Sequence, residues 1–291
     1  SSLTAKQDKR ALARGVVVGS VLAVGILAGC TVSSGAAGQG QLRSSGKGTI
    51  AAAGTVGPAV AVAVQQEFVS VIRRVLPSVV EIRTNEGLGS GVVLDSDGDI
   101  VTNAHVVAGA SSFQVLPVQA AGSTAEQPAV PAAPVPAVLV GSCPGEDLAV
   151  IRVSADVGLH PATFGDLKSV AVGDLVLAIG SPLGLGGSVT EGIVSAVGRS
   201  VAEPASIGAP AAVLADVIQT SAAINPGNSG GALVGIDGTV IGIPTLAAVN
   251  HGGAAPGIGF AISASEAVSI GRQLAGTGGV NPGTAPSGCH S

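Results

Sequence analysis

The sequence predicts an all-β protein, a barrel or a pair of barrels, and three observations lead there. From Ser78 onward the chain breaks into about a dozen short apolar runs separated by turn signals. The composition, with 45 Gly, four Phe and no Met, Trp or Tyr, leaves Val, Ala, Ile and Leu to build the core. Such β-branched, Gly-punctuated material favours strands. Helical periodicity occurs only at the two flanks of this region, and 291 residues suffice for one large domain or two small ones.

Taken in order, residues 1–14 carry Lys6, Lys9, Arg10 and Arg14, and residues 15–29 are small and apolar. This is the pattern of a secretory signal, and the run is short for a spanning helix. Leu27-Ala28-Gly29-Cys30 resembles a bacterial lipobox, in which Cys30 is lipidated; the other reading of residues 1–30 is an uncleaved membrane anchor. Either one puts the following domain outside the cytoplasm, attached to the membrane. Residues 31–62, rich in Ser, Gly and Ala, read as a flexible tether.

Phe68, Val71, Ile72, Val75 and Leu76 then fall on one face of a helix ended by Pro77. The predicted strands are 79–83, 90–94, 100–102, 113–119, 137–140 and 148–153, followed by 175–179, 192–197, 213–220, 232–236, 240–244 and 258–262. Residues 120–136, rich in Pro and Ala, read as a surface loop. Ser263 and Glu266 form a capping box opening a helix through Ile270 and Leu274 that stops near Gly276. Residues 63–276 are thus the folded domain, and 277–291 read as a flexible tail.

A net charge of −5 with no basic run after residue 14 gives no electrostatic footprint for nucleic acid, and stacking aromatics are lacking. Asp95-Ser96-Asp97-Gly98-Asp99 lacks the glycine and acid positions of a calcium loop and reads as a hairpin turn. Gly87–Gly91 and Gly184–Gly187 have no βαβ setting or P-loop lysine. His251 and His290 have no metal-ligand spacing with cysteines, so neither metal nor cofactor is expected.

The stretch Asn225-Pro226-Gly227-Asn228-Ser229-Gly230-Gly231 lies between two apolar runs. Its glycines allow a sharp turn that exposes the Ser229 hydroxyl and brings main-chain N–H groups close to a ligand. By itself the stretch also suits an ordinary hairpin corner. Upstream, His105 follows a strand and Asp147 precedes one, so the order His105, Asp147, Ser229 is that of a Ser-His-Asp triad. An esterase elbow is disfavoured, because Ala232–Ile243 reads as a hairpin and not as a helix.

These residues and their surroundings form a series of segments in one order: 87–93, 102–107, 147–150, 172–174 with 178–180, 189–190 with 192–195, 222–231, and finally 258–262. Together they resemble the trypsin-like serine proteases of the HtrA/Deg group, here without the PDZ module that most of that group carry. The resemblance implies two six-stranded antiparallel β-barrels of the chymotrypsin type with short flanking helices. It implies Ser229 as nucleophile, His105 as general base and Asp147 as its orienter, with the N–H groups of Gly227 and Ser229 as oxyanion hole. It places Thr245 where a hydroxyl supports the aspartate, and Ala223, Ile224, Leu246, Gly257 and Phe260 around the specificity pocket. With no carboxylate at Ala223, small or medium aliphatic residues are expected before the cut. An extended or unfolded polypeptide substrate would pair along Thr245–Ala247.

Ser221 and Pro244 depart from the usual residues of that group, leaving pocket detail open. Asn228 is not an acid, so no new N-terminal amine can order the nucleophile loop by pairing there; neighbouring loops or substrate are expected to do so. Trimers in the group use aromatic contacts near the start of the domain, where Phe68 is available, which leaves a homo-oligomer open but unsupported. Cys143 and Cys289 either pair in an oxidising compartment or stay as two free thiols. The competing functional reading is a binding or chaperone-like module that keeps the protease fold with catalysis latent.

Overall fold

A computed structural model describes residues 58–118, 133–154, 159–181, 187–203, 212–250, 253–276 and 289. The signal and lipobox segment with Cys30, the tether up to residue 57, and the tail apart from Cys289 lie outside the described residues. Helix α1 (Pro58–Val75) leads through a 3-10 turn (Leu76–Ser78) into β1 (Val79–Thr84), β2 (Leu88–Val93), β3 (Asp99–Thr102) and the single-turn α2 (Ala104–Val107). Then come β4 (Phe113–Pro117), β5 (Val135–Cys143) and β6 (Leu148–Val153). The second half comprises β7 (Leu175–Gly180), β8 (Ser188–Glu203), β9 (Ala212–Thr220), β10 (Ala232–Gly235), β11 (Val240–Asn250), β12 (Gly253–Ser263) and α3 (Ala264–Gly276).

The strands close into two six-stranded antiparallel barrels, in the orders β1-β2-β3-β6-β5-β4 and β10-β11-β12-β9-β8-β7. Shifting each label of the first barrel by six reproduces the second, so the two halves share one topology. Within each barrel closure pairs every strand on both sides, while the outer arms of the β8–β9 and β11–β12 hairpins extend beyond it. Period-2 alternation sorts the aliphatic residues. On β6, Ala149, Ile151 and Val153 fill the first barrel, while Leu148 and Val150 face the other way. On β7, Val176 and Ala178 fill the second barrel, and Leu177 and Ile179 join Leu148 and Val150 between the barrels. Ala267, Ile270 and Leu274 of α3 complete that central cluster.

Two expectations need correction. Helix α1 begins at Pro58, inside the stretch read as tether; a proline at the first helical turn has no N–H to lose and its φ is already helical. Strands β8, β11 and β12 run far beyond their apolar runs, because their outer ends form long hairpins whose side chains need not be buried. At α3 the cap is as expected, Ser263 Oγ accepting from the Glu266 N–H at 3.3 Å. Among the described residues no helix is long and apolar enough to cross a membrane.

Candidate active site

Each triad candidate sits where a regular element ends. His105 lies on α2, the single turn after β3, and Ser229 lies in the turn between β9 and β10. Asp147 follows a 3-10 turn (Pro144–Glu146) in a left-handed conformation, φ 49°. That conformation is uncommon for a residue with a side chain. It is held here by Asn103, whose Nδ2 donates to the Asp147 carbonyl at 3.0 Å. Among the described residues, Asn103 Oδ1 is a buried side-chain polar atom without a hydrogen-bond partner. Cys143, immediately before the 3-10 turn, is bonded to Cys289, which ties the 289 position to the Asp147 segment.

His105 Nδ1 lies 3.0 Å from Asp147 Oδ1 and 2.9 Å from Oδ2, and the His105 main-chain N–H donates to Oδ1 at 3.0 Å. Thr245, on β11, donates its hydroxyl to Oδ2 at 2.5 Å. The carboxylate is 2% exposed, whereas the imidazole is 26% exposed. A neutral imidazole held in this way carries its hydrogen on Nδ1 and offers Nε2 as a base. His105, Ser229 and Thr245 line one open cleft of about 780 Å³ together with Ile224, Gly227 and Leu88. Ser229 Oγ donates to the Thr245 carbonyl at 3.2 Å.

The turn that carries Ser229 is tightly held. Gly227 has φ +103° and Gly230 φ +81°, and a β-carbon at Gly230 would come within 2.3 Å of the Ser90 carbonyl oxygen. Only glycine satisfies both demands. Asn228 is buried; its Nδ2 donates to the Ala223 carbonyl at 3.1 Å and its Oδ1 accepts the Asn225 N–H at 3.0 Å. The Asn228 amide staples the turn to its own approach, a support from within the turn beside the ordering expected from neighbouring segments. Ser90 adds main-chain and side-chain bonds, its N–H to the Ser229 carbonyl at 3.0 Å and its hydroxyl to the Gly227 carbonyl at 2.6 Å. Neither Ser90 nor Asn103 stood out in the sequence. The glycines flanking Ser90 were the available sign that another backbone approaches there.

The pocket residues divide. Ile224 and Thr245 line the cleft, whereas Ala223, Gly257 and Phe260 do not. Ala223 is exposed, and its carbonyl is occupied by Asn228 and by the Thr190 hydroxyl at 2.9 Å. Phe260 is packed in the central core. Leu246 is placed only by its backbone, which pairs with Phe260. The physical reason is Ile224: its side chain covers Gly259, where a β-carbon would meet Ile224 Cγ1 at 2.4 Å. Ile224 thus lies between the cleft and the strand that was expected to wall it.

Two closed antiparallel barrels with a histidine–aspartate pair and a glycine-flanked serine in one cleft define the chymotrypsin class of fold. Residues 89–243 match the model of the trypsin-like peptidase domain, and the chain belongs to that family. It is 40% identical over 218 residues to the serine protease PepD of Mycobacterium tuberculosis, covering 72% of this chain and 46% of that protein. It is 41% identical over 197 residues to the periplasmic serine endoprotease DegP of Escherichia coli, covering 67% and 37%. The chain spans less than half the length of these relatives. Among solved structures it resembles the HtrA-type protease AlgW with tripeptide, with a TM-score of 0.58 and 38% identity over 71% of this chain and 63% of that one.

Proposed function

We propose that the chain is an extracytoplasmic serine endopeptidase acting on extended or unfolded polypeptides. The observation that carries this reading is the His105–Asp147–Thr245 network facing the same cleft as Ser229. Ser229 Oγ attacks the peptide carbonyl while His105 Nε2 takes its proton. Asp147 keeps the Nδ1 hydrogen in place and stabilises the imidazolium. The N–H groups of Gly227 and Ser229, which make no hydrogen bond within the described chain, receive the oxyanion. Nε2 then returns the proton to the leaving amine, and water repeats the sequence on the acyl-enzyme.

Ile224, which lines the cleft and packs on Gly259, gives the cleft an apolar wall, which supports cleavage after small or medium aliphatic residues. The substrate strand would pair along β11 from Thr245 to Ala247. Periplasmic relatives, the basic and apolar N-terminal pattern and the Cys143–Cys289 bond support a location outside the cytoplasm, with attachment through lipidated Cys30 or an anchor.

Fluorophosphonate labelling with Ser229→Ala as control tests the enzyme. Labelling lost in the variant is expected; an unlabelled wild-type chain would overturn the reading. The second reading, a binding module with latent catalysis, draws on Ser229 donating to the Thr245 carbonyl. That outcome of the same experiment would favour it. Preferred cleavage of a peptide library after Arg would refute the pocket assignment.

A further inference from the structure

On β1, Val80 and Ile82 fill the first barrel, so the residue between them faces the central cluster. That residue is Glu81, a carboxylate only 3% exposed. A charge in such a place must be bonded from several sides. Its Oε2 accepts the Ser181 hydroxyl at 2.6 Å, and its Oε1 accepts Arg83 Nε at 2.5 Å. Ser181 directly follows β7, so this contact ties the first barrel to the start of the loop leaving β7 of the second.

The main-chain N–H of Ser181 in turn donates to Ser90 Oγ at 2.9 Å, and Ser90 Oγ donates to the Gly227 carbonyl at 2.6 Å. Ser90 and Ser181 are both fully buried. Both partners of Ser90 Oγ are backbone groups of fixed polarity. The amide can only give a hydrogen and the carbonyl can only receive one, so the direction of the Ser90 O–H is determined.

The carbonyl it holds belongs to the peptide unit joining Gly227 to Asn228. The other end of that unit, the Asn228 N–H, donates to the Asn225 carbonyl at 3.1 Å. The unit is therefore gripped at both ends, and it lies between the two N–H groups, of Gly227 and Ser229, assigned above to the oxyanion. With Gly227 at φ +103°, no β-carbon restrains rotation there, so the restraint must come from outside. We propose that Ser90, held by Ser181 and Glu81, is a positioning residue that fixes the relative direction of the two oxyanion N–H groups. This rests on the protease reading of the same cleft.

Ser90→Ala removes the grip on Gly227 while both N–H donors remain. Deleting an oxyanion donor outright lowers kcat about 10²–10³-fold, so loosening the pair is expected to lower it about 10–100-fold. KM for a peptide substrate should change little, and affinity for a peptide boronate, whose adduct is tetrahedral, should fall by about the same factor as kcat. A merely structural role would lower the melting temperature without moving these two quantities together. Glu81→Gln, similar in shape, should give a smaller loss of the same kind, and it decides the matter if Ser90→Ala does not fold. A folded variant with wild-type kcat, or with reduced kcat and unchanged boronate affinity, would overturn the inference alone. A wild-type chain that neither turns over nor labels would overturn the protease reading and this inference with it.

Discussion

Thr245 serves the site from both ends of the residue: its hydroxyl donates to Asp147 Oδ2 at 2.5 Å, and its carbonyl accepts from Ser229 Oγ at 3.2 Å. Only the first bond depends on the side chain. Thr245→Val keeps the strand shape and the carbonyl but leaves a buried carboxylate oxygen one donor short. A hydrogen bond to a charged group is worth about 1.5–3 kcal/mol, and part of that should appear in the transition state, where Asp147 faces an imidazolium. Loss of kcat by about tenfold or more with KM nearly unchanged is expected from steady-state assays, and Thr245→Ser should retain most activity. Equal kcat for the valine variant would show that Asp147 needs no third donor.

All twelve strands were legible in the sequence as short apolar runs between turn signals, because many of them are buried on both faces, as β3, β6 and β7 are. The outer ends of β8, β11 and β12 were not, since hairpin arms that project from a barrel carry no burial pattern. That His105, Asp147 and Ser229 converge on one region was legible from their order and from the segments around them. Its supports were less so. The Ser90–Gly227 bond joins residues 137 positions apart, and no local pattern announces it. Asn228 could be seen to lack the charge of an acid, but its amide bonds to Ala223 and Asn225 depend on how tightly the turn folds back. In the same way, the placing of Phe260 in the core follows from which face of β12 meets the other barrel.

Under the proposed protease reading, Ile224, 6% exposed and lying over Gly259, is the residue that limits the depth available before the cut. Ile224→Ala would open room for several methylene groups. One methylene in an apolar pocket discriminates by about 1–3 kcal/mol, or 10–200-fold. The variant should therefore favour Leu, Met or Phe at that position over Val or Ala, measured as ratios of kcat/KM on matched peptides. An unchanged preference would place the pocket elsewhere. Gly259→Ala should act in the other direction, through the clash with Ile224.

Asp99 and Arg152 pair across β3 and β6 in a forked geometry, Nε to Oδ1 at 2.6 Å and Nη2 to Oδ2 at 2.7 Å. The aspartate side chain is 2% exposed and the arginine 37%. The same guanidinium reaches the Ala275 carbonyl at the end of α3, at 3.4 Å. Asp99→Asn removes the charge and one acceptor, leaving a partly solvated cation. About 2 kcal/mol of stability should be lost, less than for a fully buried pair, because water can still reach Arg152. For a domain of this size that corresponds to a fall of about 4–8 °C in melting temperature. The pair joins the ends of β3 and β6 remote from His105 and Asp147, three register positions from the Thr102–Ala149 pair that adjoins them, so kcat/KM measured well below the transition should stay within about twofold. A large loss of activity in folded variant protein would instead make this pair part of the catalytic support.

Glu146 directly precedes Asp147, and burial raises its pKa from the ordinary value, with the negative charge of Glu266 adding to the effect. A carboxyl that binds its proton more tightly when folded opposes folding once it must ionise. Below the ordinary value both states hold the proton and Glu146 contributes nothing. As pH rises through the ordinary value and on through the raised one, stability is lost. Glu146→Gln removes it, so the variant should melt higher at pH 7, by no more than about 0.5 kcal/mol because the side chain is partly solvated. The two melting curves should converge below about pH 4. Glu266→Gln should reduce the gain, since one source of the opposition is then already gone. Thermal unfolding of the single and double variants between pH 3.5 and 7.5 measures all of this. A gain that persisted at the acid end would assign the effect to packing rather than to charge.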